Sequence, residues 1–144
     1  MFDQNNFEKQ AKRKRFLPAF LWAIIICVLS LMPSRNLPEL HFDLLATDKL
    51  AHVAVYALLS YLWLWGYKEK KRKVVFIVLL ESITLGVLLE IAQYLFFPDR
   101  FFELYDILAN VIGAIIGIVA LFFYHKTLSV WIFQFLAVLF LALS

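Results

Sequence analysis

In a chain that is otherwise strongly apolar, a small set of acids, amides and bases recurs at helical spacing. Asp48, Lys49, His52 and Tyr56 come first, then Gly86, Glu90 and Gln93, then Arg100, and last Asp106 and Asn110 ahead of Gly113 and Gly117. At about 100° per residue, Asp48, His52 and Tyr56 descend one helical face, Gly86, Glu90 and Gln93 share a second, and Asp106, Asn110, Gly113 and Gly117 form a third stripe. Two chemistries fit these residue types. Lys49 and Arg100 can hold a phosphate or carboxylate, Arg100 through its planar fork, while His52, Glu90, Gln93, Asp106 and Asn110 orient the polar part of the ligand. Alternatively, His52 with Glu90 or Asp106 can act as general base and acid on a phosphoester or transferable head group, which makes these three the candidate catalytic residues. A metal version of that chemistry would use His52 with two carboxylates. No HExxH spacing, Ser-based elbow or Walker loop occurs, so neither a metal nor a cofactor is expected.

Plainer readings stand beside these. Gln93 and Asn110 can lock helices together at about 1 kcal/mol each. Asp48 and Lys49 can be ordinary interfacial residues or a helix N-cap. Glu90 and His52 are harder to dismiss, because an ionisable side chain within a bilayer is costly unless it pairs or lines a wet cavity. Glu81 falls on the opposite side of its helix from Glu90 and reads as a separate structural or lipid-interface acid, and Cys27 reads as packing.

The elements that must position these residues are membrane helices. The chain has 144 residues, 63% hydrophobic and 17% charged, with a mean hydropathy of +0.80, more apolar side chain than a water-soluble domain can bury. One Cys, four Gly and four Pro exclude a disulfide scaffold, a Cys-based zinc module and a low-complexity tail. The net charge of +3 comes from short basic runs beside apolar segments, a topology signal rather than a nucleic-acid surface.

The expected fold is all-α, a polytopic membrane helix bundle. Its four core spans are residues 16–32, 50–67, 74–97 and 107–124, followed by a short fifth apolar segment at 128–143 that either spans thinly or lies in the interface. Three units follow: a basic cytoplasmic segment at 1–15, a four-helix membrane domain at 16–127 and an apolar end at 128–144. A cleaved signal peptide competes for the first stretch, but no small-x-small site follows it. The third and fourth spans, joined by a tight turn at Pro98, Asp99 and Arg100, are expected to be antiparallel neighbours.

Lys and Arg divide eleven to three between the two sides. Lys9, Lys12, Arg13, Lys14, Arg15, Lys68, Lys70, Lys71, Arg72, Lys73 and Lys126 fall on one side, and Arg35, Lys49 and Arg100 on the other. The amino terminus and the loop after the second span are therefore expected in the cytoplasm. That orientation gathers the polar residues in the outer third of the bilayer. By helical rise Glu90 lies roughly 12 Å below Pro98, and Asn110 roughly 6 Å below Asp106. Gly113 and Gly117 form a small-xxx-small pair that admits a neighbouring backbone, and Gly86 can do the same.

The run Asp48-Lys49-Leu50-Ala51-His52 with Tyr56, then Gly86-x-x-x-Glu90-x-x-Gln93, Pro98-x-Arg100, Asp106-x-x-x-Asn110 and Gly113-x-x-x-Gly117, resembles the VanZ-like family of small bacterial membrane proteins, over roughly residues 45 to 120. The founding member is associated with reduced susceptibility to the glycopeptide teicoplanin, and the family's biochemical activity is not established. The resemblance implies a multi-pass protein of the bacterial cytoplasmic (inner) membrane and leaves the reaction open. Glu81 and the apolar end after Lys126 depart from it.

The leading expectation is a polar pocket on the non-cytoplasmic face that binds a membrane-lipid headgroup, a lipid-linked cell-wall precursor or a lipoglycopeptide. The residues expected to line it are Asp48, Lys49, His52, Tyr56, Glu90, Gln93, Arg100, Asp106 and Asn110. An intramembrane acid/base enzyme and a purely structural bundle are the alternatives. A proton-relay transporter using Glu81 and Glu90 is disfavoured by their opposite faces and by the lack of an internal repeat. No nucleic-acid partner is expected, and the sequence fixes neither the oligomeric state nor the ligand.

Overall fold

In the computed structural model the backbone is described for residues 4–32, 44–98 and 101–143, and the side chains for residues 10, 13–32, 48–98 and 101–124. The described residues form four helices: α1 (Gln4–Ser30), α2 (Leu44–Gly66), α3 (Arg72–Phe96) and α4 (Leu104–Leu143). The all-α expectation holds. Arg35, Asp99 and Arg100 lie outside the described residues.

Helix boundaries follow local chemistry. α3 begins after the extended Lys71, whose carbonyl accepts from the Val74 and Val75 N–H groups. It ends where the Phe97 N–H closes on the Gln93 carbonyl and Pro98, which has no N–H to continue the ladder, follows. Two boundaries expected from the sequence disappear into helices. α1 carries the basic run and the first apolar stretch as one element, passing through Pro18. Residues 128–143, expected as a separate fifth segment, continue α4 without a break. His125, Lys126 and Thr127 contain neither Gly nor Pro, so nothing in the link stops the helix.

Two stretches, Arg72–Phe96 and Leu104–Tyr124, are long and apolar enough to cross a membrane, and at most 39% of either is buried within the protein. Their outward faces carry Phe76, Leu80, Leu88, Leu95, Leu108, Ile115 and Phe123, all exposed. So large an apolar exterior belongs in lipid. Two of the four expected spans thus meet the length and apolarity criteria. The described part of α1 keeps Arg13, Lys14 and Arg15 close to its apolar stretch, and α2 is diluted by Lys49, His52, Ser60 and its tyrosines.

The tightest packing joins α2 to α4. The Cα of Gly113 lies against the Val53 backbone carbonyl, and Gly117 lies against the Ala57 carbonyl and Ser60 Oγ, so closely that a Cβ at either glycine would overlap them. The Ser60 hydroxyl crosses the contact to donate to the Ala114 carbonyl at 2.8 Å. From Val53–Gly113 to Ala57–Gly117 both chains advance together, so α2 and α4 run parallel. The sequence expectation made α3 and α4 neighbours through their short link. They do touch, with Gly86 of α3 against Asn110 of α4, but the Gly113/Gly117 stripe belongs to α2.

α1 packs antiparallel on α2. Phe16 meets Tyr67 edge-on with ring centroids 4.9 Å apart, Phe20 meets Trp63 at 4.9 Å, and the Trp22 Nε1–H donates to the Val55 carbonyl at 3.0 Å. The bundle end that holds Phe16 and Tyr67 also holds the basic loop 68–73 and the exposed Arg13 and Lys14. The first residues of α2 and α4 lie at the opposite end. One buried cluster (Ile26, Tyr56, Leu59, Leu89) ties α1, α2 and α3 together, and a second (Leu64, Val78, Ile118, Leu121) ties α2, α3 and α4.

Gly117→Leu should force α4 off α2 and cost at least about 2 kcal/mol, read as a lower melting temperature in detergent. Ile115→Leu on the exposed side should stay within about 0.5 kcal/mol of the parent. Equal melting of the two variants would contradict the α2–α4 contact.

Candidate functional site

Three helix ends bring polar side chains together at the bundle end away from the basic loop. Asp48, Lys49 and His52 lie in the opening turns of α2, Glu90 and Gln93 near the end of α3, Glu103 just before α4, and Asp106 and Asn110 in its first turns. Asp106 and Asn110 are 6% and 2% exposed and Glu90 2%, depths at which unpaired charge is costly.

Lys49 is the hub. Its ammonium contacts Asp106 Oδ1, lies 2.5 Å from Glu103 Oε2 and stands 3.5 Å from Asp48 Oδ2. Burial works against the charged lysine, and the hydrogen bonds and charges of Asp106 and Glu103 offset that cost. The sequence reading assigned Lys49 to a ligand anion. In the structure it is committed to carboxylates, which outnumber it, so this end of the bundle is acid-rich.

His52 links the same charges to α4. Its Nδ1 lies 2.9 Å from Asn110 Oδ1, and its Nε2 lies 3.9 Å from both Asp48 Oδ1 and Asp106 Oδ2. With the proton on Nδ1 donated to Asn110, the Nε2 lone pair points toward the two carboxylates. Glu90 closes the group from α3. It accepts a hydrogen bond from the Glu103 backbone and lies in the field of Asp106, His52 and Asp48. The donor atoms of Asp48, His52 and Asp106 lie within 4.8 Å of one another, the residue types and clustering from which a cation site is built.

The expected site residues therefore divide. Asp48, Lys49, His52, Glu90, Asp106 and Asn110 form one connected group. Gln93 turns away from it, donating through Nε2 to the Ser30 carbonyl at 2.8 Å, so it ties α3 to the carbonyl end of α1. Tyr56, 2% exposed, is part of the apolar cluster with Ile26, Leu59 and Leu89. Gly86 gives Asn110 its place, since a Cβ there would come within 2.8 Å of the Asn110 Nδ2. Arg100 lies outside the described residues. Sequence reasoning passed over Glu103, taken as part of the link after Pro98. Its signal was a carboxylate three residues before Asp106, at the same helix start.

Removing Lys49 strands Asp106. Lys49→Met should destabilise by about 3 kcal/mol, and Lys49→Met with Asp106→Asn by less than the sum of the two single changes. Chemical unfolding in detergent measures both, and strict additivity would refute the ion pair.

A family model described as VanZ/LLP1 matches residues 3–128. An uncharacterized protein of Schizosaccharomyces pombe is 28% identical over 117 residues, covering 81% of this chain and 68% of that one. No solved structure matches.

Proposed function

The chain belongs to the VanZ/LLP1 family, and from that membership and the geometry of its polar cluster we propose that it is a multi-pass membrane protein whose acid-rich pocket binds the polar headgroup of an envelope molecule. The observation that carries this is the convergence of Lys49, His52, Glu90, Asp106 and Asn110, from three helices, at one end of a bundle with an apolar exterior. Buried ionisable groups in lipid-facing bundles are retained where they serve a ligand or an ion. The candidate ligands are a membrane-lipid headgroup, a lipid-linked cell-wall precursor or a lipoglycopeptide, the last two being the routes by which it would alter glycopeptide susceptibility. A lipid headgroup is the class that a fission-yeast relative would also meet.

In this reading Glu90, Asp106 and the Asn110 amide take the hydroxyl and amine groups of the ligand, and Arg100 its phosphate or carboxylate. All four helices cross a bacterial inner membrane, with the amino terminus and the 68–73 loop in the cytoplasm and the polar cluster facing out, as the eleven-to-three division of Lys and Arg directs. The α4 helix is about 60 Å long by its rise, so residues beyond Tyr124 extend past the span on the cytoplasmic side. A second reading, an acid/base enzyme on a phospholipid or lipid-linked substrate, draws on His52 Nε2 standing 3.9 Å from two carboxylates, the arrangement of a base beside its proton acceptors.

Two measurements test these proposals. In a background lacking Cys27, an impermeant thiol reagent applied to intact cells should label a cysteine at position 100 and not one at position 71; the reverse pattern would invert the topology. The purified protein in nanodiscs should retain phosphatidylglycerol or phosphatidylethanolamine over phosphatidylcholine through detergent washing. His52→Gln, Glu90→Gln, Arg100→Lys and Asp106→Asn, where monodisperse, should each reduce that retention, with combined losses smaller than additive. Full retention in all four would make the cluster structural. Normal retention with loss of headgroup conversion would favour the enzyme.

A further inference from the structure

We propose that Asp48, His52 and Asp106 form a divalent-cation site beside Lys49, and that the cation is what allows this acid-rich pocket to hold a phosphate-bearing headgroup. The inference rests on the binding reading above and specifies how its charge balance works.

Geometry supplies the donor set. His52 Nε2 lies 3.9 Å from Asp48 Oδ1 and from Asp106 Oδ2, and one donor atom from each residue falls within 4.8 Å of the others. Donors around a tetrahedral zinc stand about 3.4 Å apart, given bonds of about 2.0–2.1 Å. The gaps close by movement of the Asp48 side chain, 52% exposed in the second turn of α2, and of the His52 ring, 18% exposed, while the buried Asp106 stays in place. His52 is already set for ligation. Asn110 Oδ1, at 2.9 Å, takes the Nδ1 proton, leaving the Nε2 lone pair for the ion, as outer-shell partners do for metal-bound histidines.

Electrostatics supplies the demand. Lys49 contacts the other oxygens of the two aspartates, Asp106 Oδ1 and Asp48 Oδ2, and reaches Glu103 as well. One ammonium thus serves three carboxylates, with Glu90 buried close by. A phosphate entering this field would be repelled. A divalent ion between His52 and the free aspartate oxygens reverses the sign where the phosphate would sit and offers it open coordination positions, since the protein provides three donors. One imidazole with two carboxylates suits zinc or manganese better than calcium, which takes oxygen donors. The sequence reading expected no metal because no metal-binding spacing occurs along one helix. Here the donors come from two helices brought together by the Gly113/Gly117 contact.

The test uses the full chain, purified in detergent, stripped with a chelator and desalted, then titrated with zinc or manganese alone. Calorimetry and elemental analysis should give about one ion per chain. His52→Gln should weaken binding by more than the roughly tenfold that loss of an outer-shell partner costs. Asp48→Asn, at an exposed position, should weaken it without altering the melting temperature of the metal-free protein, which keeps the test valid if Asp106 variants fail to fold. Glu81→Gln should bind like the parent. Absence of stoichiometric binding, or binding unchanged in both His52→Gln and Asp48→Asn, overturns the site. Retention of phosphatidylglycerol, measured with the metal and with chelator, separates this from the broader reading. Retention equal in both overturns the cation's role and keeps the pocket. Metal binding with no retention in either condition overturns the pocket and keeps the metal site.

Discussion

A carboxylate held at 6% exposure in a bundle whose outside is apolar needs a counter-charge within contact, and Lys49 supplies it to Asp106. The cost of separating those two groups would be several kcal/mol, so α2 and α4 are fixed in axial register before any ligand is considered. Once Lys49 meets Asp106, His52 lies beside Asn110 one turn deeper, and two further turns bring Gly113 against Val53 and Gly117 against Ala57. The charged end and the small-residue seam are thus one interface. The polar contacts choose the register and the glycines let the backbones come close enough for it to form.

α3 enters this interface through Gly86 and Glu90 at the polar end and through Val78 deeper in the bundle. Gly86 leaves room for the Asn110 side chain, which keeps Asn110 turned toward His52, and Glu90 one turn further on closes the acid-rich end. Gln93, one turn beyond, bonds the Ser30 carbonyl where α1 ends. Side chains of similar polarity on one stripe of α3 therefore do different work. Glu90 faces the α2–α4 seam, and Gln93 satisfies an orphan carbonyl at a helix terminus. Polarity alone does not separate these roles, because both are answers to the same problem of placing hydrogen-bonding groups in lipid.

Much of this was legible in the sequence. The periodicity of Asp48 and His52, of Gly86 and Glu90, and of Asp106, Asn110, Gly113 and Gly117 located the faces that meet, because a stripe on a helix in lipid is visible as a departure from uniform apolarity. What periodicity does not carry is the identity of the neighbour. The three-residue turn made α3 and α4 neighbours but left the partner of Gly113 and Gly117 open, and tight packing chose α2, far away in sequence. Tyr56 shared a stripe with His52 yet lies in the apolar core, since a stripe that is polar at its start becomes interior a turn later. Lys49 read as a free cation because Glu103, one of its partners, sat in a link with no periodicity of its own. The break expected before residue 128 was inferred from polarity, and polarity without Gly or Pro does not end a helix.

The polar end of the bundle depends on α2 and α4 being joined through Lys49, Asp106, His52 and Asn110. Magic-angle-spinning NMR of the protein in lipid bilayers addresses this directly, through correlations between the Lys49 ammonium nitrogen and the Asp106 carboxyl carbon and between His52 Nδ1 and the Asn110 amide carbon. Both correlations are expected at short mixing times, consistent with contact distances. A folded, lipid-embedded sample that shows neither, with Asp106 instead correlated only to α3, would contradict the account.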